Sequence, residues 1–335
     1  MKNYGTQANA LGLTYKLILR ILVTGGLGYL GGRLSNYLSQ NGHKVIAASR
    51  KYYEDYKFLP DVTLRQVDWS SDFSINQACQ NCDIVIHAAG MNSAECASDP
   101  ISALKFNGTA TSRLLKSAIS CNVTKFIYLS TAHVYSESLL GFFDEESPTK
   151  NIHPYATSHK AGEDAVLEGS KKGEINGIVL RISNAFGAPV DPNTNCWSLL
   201  VNDLCQQAFT LNKIKLETSG LQYRNFIAIQ DVCKNVEFFL SYTPKDYSFE
   251  LPIYNIGSEY TMTVYEMAEL VVFYFQESYK KQIPIERKAT SSFILNKRSL
   301  IYCIDKLNSI QGVTHDNLKT EILSLFKFYD IHYRK

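Results

Sequence analysis

Short apolar, β-branched runs alternate with longer amphipathic stretches up to about residue 183, the pattern of strands and crossover helices in a parallel sheet. Six runs, Leu17–Val23, Lys44–Ala48, Thr63–Val67, Asp83–Ala88, Lys125–Ser130 and Gly177–Ile182, are largely apolar on both faces and so predict buried parallel strands. Helical patterns over residues 29–41, 74–80, 100–120 and 154–171 fill the gaps. Together they predict an α/β fold, a doubly wound parallel (Rossmann) sheet with right-handed crossovers. Beyond about residue 184 the rhythm becomes mixed, punctuated by Pro189, Pro192, Pro244 and Pro252, which predicts a smaller mixed α/β C-terminal substrate lobe. The expected division is a dinucleotide-binding domain over 17–183 with 224–257 packing back on it, a lobe of 184–223 and 258–335, and an N-terminal extension, 1–16. With no low-complexity linker and no repeat, the two lobes are expected to pack directly around a cleft.

Composition narrows the class. A chain of 335 residues, 45% apolar and 20% charged, can bury a substantial core, which excludes intrinsic disorder and a small disulfide scaffold. Basic residues (34) nearly balance acidic ones (32), so there is no global field for a nucleic-acid backbone or an anionic membrane, and a small-molecule partner is expected. The apolar stretch Leu17–Val23 is broken by Arg20 and falls far short of the roughly 20 residues of a membrane span. Residues 1–16 lack an apolar core typical of a secretory signal, so a cytoplasmic location is expected. The eight cysteines are scattered; Cys79 and Cys82 have no second pair to complete a zinc set, and reduced thiols are expected. No metal is expected: His87 and His133, even beside Asp83 or Glu137, do not complete a ligand set. A homodimer is admitted by this reading and not required by it.

The run Leu17–Val23 leads into Thr24-Gly25-Gly26-Leu27-Gly28-Tyr29-Leu30-Gly31 and then a helix. Glycines after a strand allow a tight turn and close backbone approach to a pyrophosphate, which rests on the unpaired amides at the helix start. Gly25, Gly28, Tyr29, Leu30 and Gly31 are therefore candidate dinucleotide contacts. The end of the second strand normally offers a carboxylate to the adenosine ribose of NAD; this chain has Ser49-Arg50 there, and a guanidinium suits the 2′-phosphate of NADP better, with NAD the second choice.

These residues resemble the extended short-chain dehydrogenase/reductase family, NAD(P)-dependent epimerases, dehydratases and reductases of nucleotide sugars, over about residues 17–270. Asp68-Trp69, His87-Ala88-Ala89-Gly90, and Asp99-Pro100 with Asn107 match further family segments. The resemblance implies that Asp68 and Trp69 contact adenine, that His87, Ala88 and Ala89 line the central part of the cofactor, and that Asn107 braces the active-site helix. Leu129-Ser130-Thr131-Ala132-His133-Val134-Tyr135 and Pro154-Tyr155-Ala156-Thr157-Ser158-His159-Lys160 match the two catalytic segments. Thr131 is thereby implied as the catalytic hydroxyl and Tyr155 as the proton-transfer residue. Asn184 and Arg224, in segments resembling those that contact the substrate diphosphate, are implied substrate residues; a turn cap and a surface ion pair are their structural alternatives. Met91, Ser93 and His133, at the carboxyl ends of strands, are candidates to touch the sugar.

Two departures bear on the reaction. Family members carry a lysine four residues after the tyrosine, where it binds the nicotinamide ribose and lowers the tyrosine pKa; here that position is His159, with Lys160 about 100° further around a regular helix. Three outcomes stay open: His159 substitutes, a shifted register delivers Lys160, or catalysis is weakened or lost. The family's dehydratases carry an Asp-Glu pair directly after the catalytic hydroxyl, whereas this chain has Ala132-His133, which argues against dehydration. The expected function is NADP(H)-dependent oxidoreduction or epimerisation of a nucleotide-linked sugar, with keto-sugar reduction favoured. An NAD-retaining epimerase and a non-catalytic nucleotide-binding or sensing protein are the alternatives.

Overall fold

The computed structural model describes residues 17–51, 53, 56–244, 251–259, 261–288, 299–310 and 317–333, with two short strands at 7–8 and 14–15. The 1–16 extension otherwise lies outside the described residues. Seven strands form one sheet: β1 (Arg20–Thr24), β2 (Lys44–Ser49), β3 (Thr63–Gln66), β4 (Ile84–His87), β5 (Lys125–Thr131), β6 (Asn176–Ile182) and β7 (Ile253–Ile256). Their spatial order is β3-β2-β1-β4-β5-β6-β7. The first strand pairs in parallel with both β2 and β4, at Thr24↔Ala48 and Thr24↔His87, so the order reverses at the carboxyl end of β1. Ligands bind at such a switch point because the loops on either side diverge there.

The predicted doubly wound sheet is thus present, with boundaries moved by a few residues. Leu17 and Ile18 precede β1 and are exposed, so the apolar run there is longer than the strand it supplies. Helices α1 (Tyr29–Gln40), α2 (Asp72–Cys79), α3 (Thr111–Ser120) and α4 (Pro154–Lys171) occupy the expected intervals. The continuous helical pattern of 100–120 is interrupted by a wide π-type turn over Leu104–Ala110 that ends where α3 begins.

The chain divides into two compact units. The first comprises Met1–Thr131, Ile152–Arg181 and Cys233–Tyr254; the second comprises Ala132–Asn151, Ile182–Val232 and Asn255–Lys335. In the first, Leu22, Val85, Phe126 and Val179 of the sheet pack with Ile75, Leu114 and Val166 of the helices in one core. At the amino end of β5 the buried Lys125 donates to the carbonyls of Phe239, Leu240 and Tyr242 at 2.7–2.8 Å, closing the end of the helix Ile229–Ser241. The second unit has its own core, around Phe186, Phe226, Met267 and Phe326. There the strands Asn184–Phe186 and Tyr223–Ala228 pair in parallel, setting Asn184 opposite Phe226. Among the described residues, no helix is long and apolar enough to cross a membrane.

Candidate active site

The glycine turn joins β1 to α1. Gly25 adopts φ +64°, and a Cβ there would come within 2.9 Å of the Ala89 Cα, so only glycine lets this turn close onto the end of β4. Gly28 donates its amide to the Gly25 carbonyl at 2.8 Å and is the N-cap of α1, with no capping side chain and no acidic residue in the first turn. The positive end of α1, carrying Tyr29, Leu30 and Gly31, therefore has no carboxylate of its own in that turn, as an anion-binding helix start requires.

At the end of β2, Ser49 Oγ accepts from the Lys51 amide, and the exposed Arg50 guanidinium lies 5.8 Å from the Phe106 ring centroid. Trp69 is edge-on to the same Phe106 ring at 5.4 Å. Asp68 turns its carboxylate onto Ser70, taking the amide and the hydroxyl at 2.9 and 2.7 Å, which holds its pKa below the usual range. Arg113 fixes this loop by donating to the Trp69 carbonyl and to Asp72. Nothing in the sequence pattern marked Phe106 as a partner of Arg50; the wide turn at 104–110 brings it there.

The ring of His87, expected to line the cofactor, is enclosed between protein groups. It is 1% exposed, with Nδ1 2.6 Å from the Thr24 hydroxyl and Nε2 2.8 Å from the Thr111 hydroxyl. Burial pushes its pKa down to about 3. The apolar run Asp83–Ala88 marks a buried strand but not which groups enclose His87. Ala88 and Ala89 follow on the backbone path past the glycine turn, with the Ala88 amide donating to the Thr24 carbonyl.

Thr131 is the last residue of β5, and Tyr155 lies in the first turn of α4. Burial raises the Tyr155 pKa, and its hydrogen bond with Thr131 opposes that shift. The buried Cys96 thiol lies close enough to add to the rise. α4 is a regular helix from Pro154 to Lys171, so the residue one turn after Tyr155 on its face is His159. His159 Nδ1 lies 2.8 Å from the Tyr155 carbonyl oxygen. A carbonyl only accepts, so Nδ1 carries the proton and Nε2 is left an acceptor. A Cβ on Gly90 would stand 3.5 Å from that Nε2, which places it beside the loop that follows β4. Burial lowers the His159 pKa, so the ring is neutral at pH 7. Lys160 pairs instead with Asp164, one turn along its own side of α4. The register is not shifted, and Lys160 is not delivered to the Tyr155 face.

Asn107 sits in the wide turn with its side chain buried. Its Oδ1 accepts the Met91 amide at 2.9 Å, and its Nδ2 donates to Ser158 Oγ on α4 at 3.0 Å. These bonds tie the turn to α4 and leave Asn107 1% exposed. Below it, Glu163 receives Arg181 Nε and Nη2 at 3.0 and 2.8 Å and the Ser130 hydroxyl at 2.6 Å. This enclosed ion pair fixes α4 against β5 and β6. Sequence reading missed Glu163, although its place four residues after His159 puts both on one helical face. Asn92 and Glu95 cap the helix Ser93–Ser98 reciprocally, leaving Met91 and Ser93 at its entrance.

In the second unit, His133 lies in a single turn after β5, and its carbonyl accepts from Asn151 Nδ2 at 2.7 Å. Asn184 Nδ2 donates to the Asn225 carbonyl at 3.0 Å, so it ties two strands together as well as lying half-exposed. The half-buried Arg224 donates to the Tyr223 carbonyl at 2.9 Å, and among the described residues it makes no ion pair with a carboxylate.

Known proteins resemble this chain in sequence family and in fold. The family model described as "NAD dependent epimerase/dehydratase family" matches residues 21–257. A dTDP-D-glucose 4,6-dehydratase of Bos taurus is 30% identical over 293 residues, covering 81% of this chain and 77% of that protein. The Homo sapiens protein of the same description is 31% identical over 280 residues, covering 77% of this chain and 75% of that one. Among solved structures, UDP-glucose 4-epimerase of Thermotoga maritima with UDP-glucose superposes with TM-score 0.77 at 19% identity, covering 93% of this chain and 99% of that one. UDP-glucuronic acid 4-epimerase of Bacillus cereus with UDP-glucuronic acid and NAD gives 0.73 at 18% identity, covering 94% and 100%. At these identities the solved structures speak for the fold.

Proposed function

This chain belongs to the NAD dependent epimerase/dehydratase family, and on that premise we propose that it transfers hydride between a nicotinamide dinucleotide and a carbon of a nucleotide-linked sugar. Its preferred reaction is reduction of a keto-sugar by NADPH. The glycine turn and the start of α1 hold the pyrophosphate, and Arg50, resting over Phe106, meets the 2′-phosphate. The bound cofactor supplies the hydride. Tyr155 gives its proton to the sugar oxygen, and Thr131 hydrogen-bonds the same oxygen. Arg224 and Asn184 bind the substrate diphosphate, for which the planar guanidinium fork is suited.

The observation that carries the direction is the environment of Tyr155. With a neutral His159 at the family's lysine position, no fixed cation lowers the phenol pKa, and burial raises it. A protonated phenol is a ready acid and a poor base. The nicotinamide ribose would donate to His159 Nε2 where a lysine would donate to it. Dehydration is disfavoured because Ala132 and His133 stand where the family's dehydratases carry Asp-Glu.

A second reading is an epimerase that retains NAD, supported by solved relatives described with UDP-sugars and NAD. Two measurements separate the readings. Isothermal titration with NADP(H) and NAD(H), on wild type and Arg50→Ala, is expected to show tighter NADP(H) binding that the variant loses; equal affinities remove Arg50 from the cofactor site. Incubation with UDP-, GDP- and dTDP-linked 4-keto-sugars is expected to consume NADPH stoichiometrically, whereas sugar interconversion with no net cofactor change establishes the epimerase.

A further inference from the structure

A buried hydrogen-bond chain in the first unit has a direction fixed by its ends. The Thr111 hydroxyl lies 2.6 Å from the Asn107 carbonyl oxygen, which only accepts, so the Thr111 proton is spent there. Thr111 must then accept from His87 Nε2 at 2.8 Å, which puts the ring proton on Nε2. His87 Nδ1 is left to accept the Thr24 hydroxyl at 2.6 Å, and Thr24 in turn accepts the Ala89 amide at 3.4 Å. Thr24, His87 and Thr111 are each at most 1% exposed, so water does not compete for these bonds. The Tyr128 phenol also reaches Thr111 and lies 3.4 Å from the His159 carbonyl.

The chain ends under the catalytic helix. The same Asn107 whose carbonyl takes the Thr111 proton donates through its side chain to Ser158 on α4. At Gly162, a Cβ would stand 2.8 Å from that carbonyl oxygen and 2.5 Å from the Tyr128 hydroxyl, so α4 rests directly on the end of the chain. We propose that His87, as the Nε2–H tautomer, is a positioning residue that joins the glycine turn to the wide turn at 104–110 and, through Thr111 and Asn107, sets the placement of Tyr155 and His159. The two buried histidines then carry opposite tautomers: Nε2–H on His87 and Nδ1–H on His159. The proposal rests on the reading of Tyr155 as the proton-transfer group and extends it to a residue that touches neither substrate nor reacting atoms.

The test combines nitrogen NMR of the full-length chain labelled in its histidine rings with the kinetics of Thr111 variants. At pH 7 the His87 resonances, assigned by their loss in His87→Gln, should be those of a neutral Nε2–H ring, and those of His159 a neutral Nδ1–H ring. Thr111→Val should lower kcat about ten- to a hundredfold through misplacement of the reacting groups. It should leave cofactor Kd and substrate KM within about twofold, and should move the His159 resonances. Thr111→Ser, which keeps the hydroxyl, should restore both kcat and resonances. A His87 ring protonated on Nδ1, or Thr111→Val and Thr111→Ser alike in kcat and spectrum, overturns the proposal. Should Thr111→Val fail to fold, Thr24→Val cuts the same chain at its other end and is expected to shift the His159 resonances in the same way; unmoved resonances count against the proposal. If wild type turns over no nucleotide sugar, the reaction reading fails, and the tautomers and the response of His159 decide this proposal alone.

Discussion

His159 Nδ1 donates to the Tyr155 carbonyl at 2.8 Å, so the ring one helical turn after the tyrosine is locked with its acceptor nitrogen toward Gly90 in the loop after β4. Burial, which that bond only opposes, keeps the ring neutral, so the family's lysine position holds a neutral acceptor in place of a fixed cation. A unit charge about 4 Å from a phenol is worth on the order of 4 kcal/mol at an effective dielectric near 20, or roughly 3 pKa units. Its absence leaves burial to dominate, and the Tyr155 proton stays on at neutral pH.

Tyr155→Phe and Thr131→Val should each lower kcat by about a hundredfold or more, since they remove the proton donor and its hydrogen-bond partner while keeping shape. Cofactor affinity, read by nucleotide fluorescence titration, should stay close to wild type. A Tyr155→Phe enzyme retaining most of its kcat would show that another group moves the proton.

Arg224→Ala should act on binding. Loss of one bidentate phosphate contact predicts a KM raised about tenfold or more with kcat little changed. Equal KM in variant and wild type would take Arg224 out of the substrate site.

The Glu163–Arg181 pair offers a stability test independent of any substrate. Both side chains are almost wholly enclosed, at 0% and 3% exposure, so Glu163→Gln strands a buried guanidinium and should cost about 3–5 kcal/mol by urea unfolding. The double variant Glu163→Leu/Arg181→Met should recover much of that loss. Strict additivity of Glu163→Leu and Arg181→Met in the double variant would deny the coupling.

Much of this frame is legible from the chain. The strands β1, β2, β4, β5 and β6 follow from their apolar runs, the glycine turn from its strand-to-helix context, and the face shared by Tyr155 and His159 from helical spacing; β3, expected buried, is instead the half-exposed edge strand Thr63–Gln66 of the sheet. What spacing does not report is hydrogen-bond register inside a helical run. The wide turn at 104–110 keeps an ordinary helical composition, yet it aims Asn107 at Ser158 and brings Phe106 beneath Arg50. Nor does burial alone reveal a role: the apolar run places His87 in a buried strand, and its two threonine partners are visible only in the structure. β7, Ile253–Ile256, lies beyond residue 184, where the mixed rhythm no longer alternates strands with crossover helices.

Acid should destabilise the protein in part through His87. The unfolded histidine titrates near pH 6.5 and the folded one near 3, so between these values only the unfolded chain takes up the proton. The stabilisation is complete above about pH 6.5 and is lost progressively as pH falls toward 3, amounting to about 2 kcal/mol lost at pH 5. Urea midpoints from pH 7 to 5 should therefore fall less steeply in His87→Gln than in wild type. Parallel slopes would mean that His87 is not held neutral.

The most direct test of the account is the pH profile of kcat/KM for oxidation of the sugar alcohol, since the ratio of the two directions at any one pH is set by the reaction's own equilibrium. With Tyr155 protonated through the neutral range, wild-type oxidation should climb about tenfold per pH unit to pH 9 with no plateau, because only the phenolate can accept the proton. In His159→Lys the restored ammonium should bring the plateau down by roughly 3 pH units. A wild-type profile already level near pH 7, and unmoved in His159→Lys, would contradict a neutral His159 as the determinant of Tyr155 chemistry.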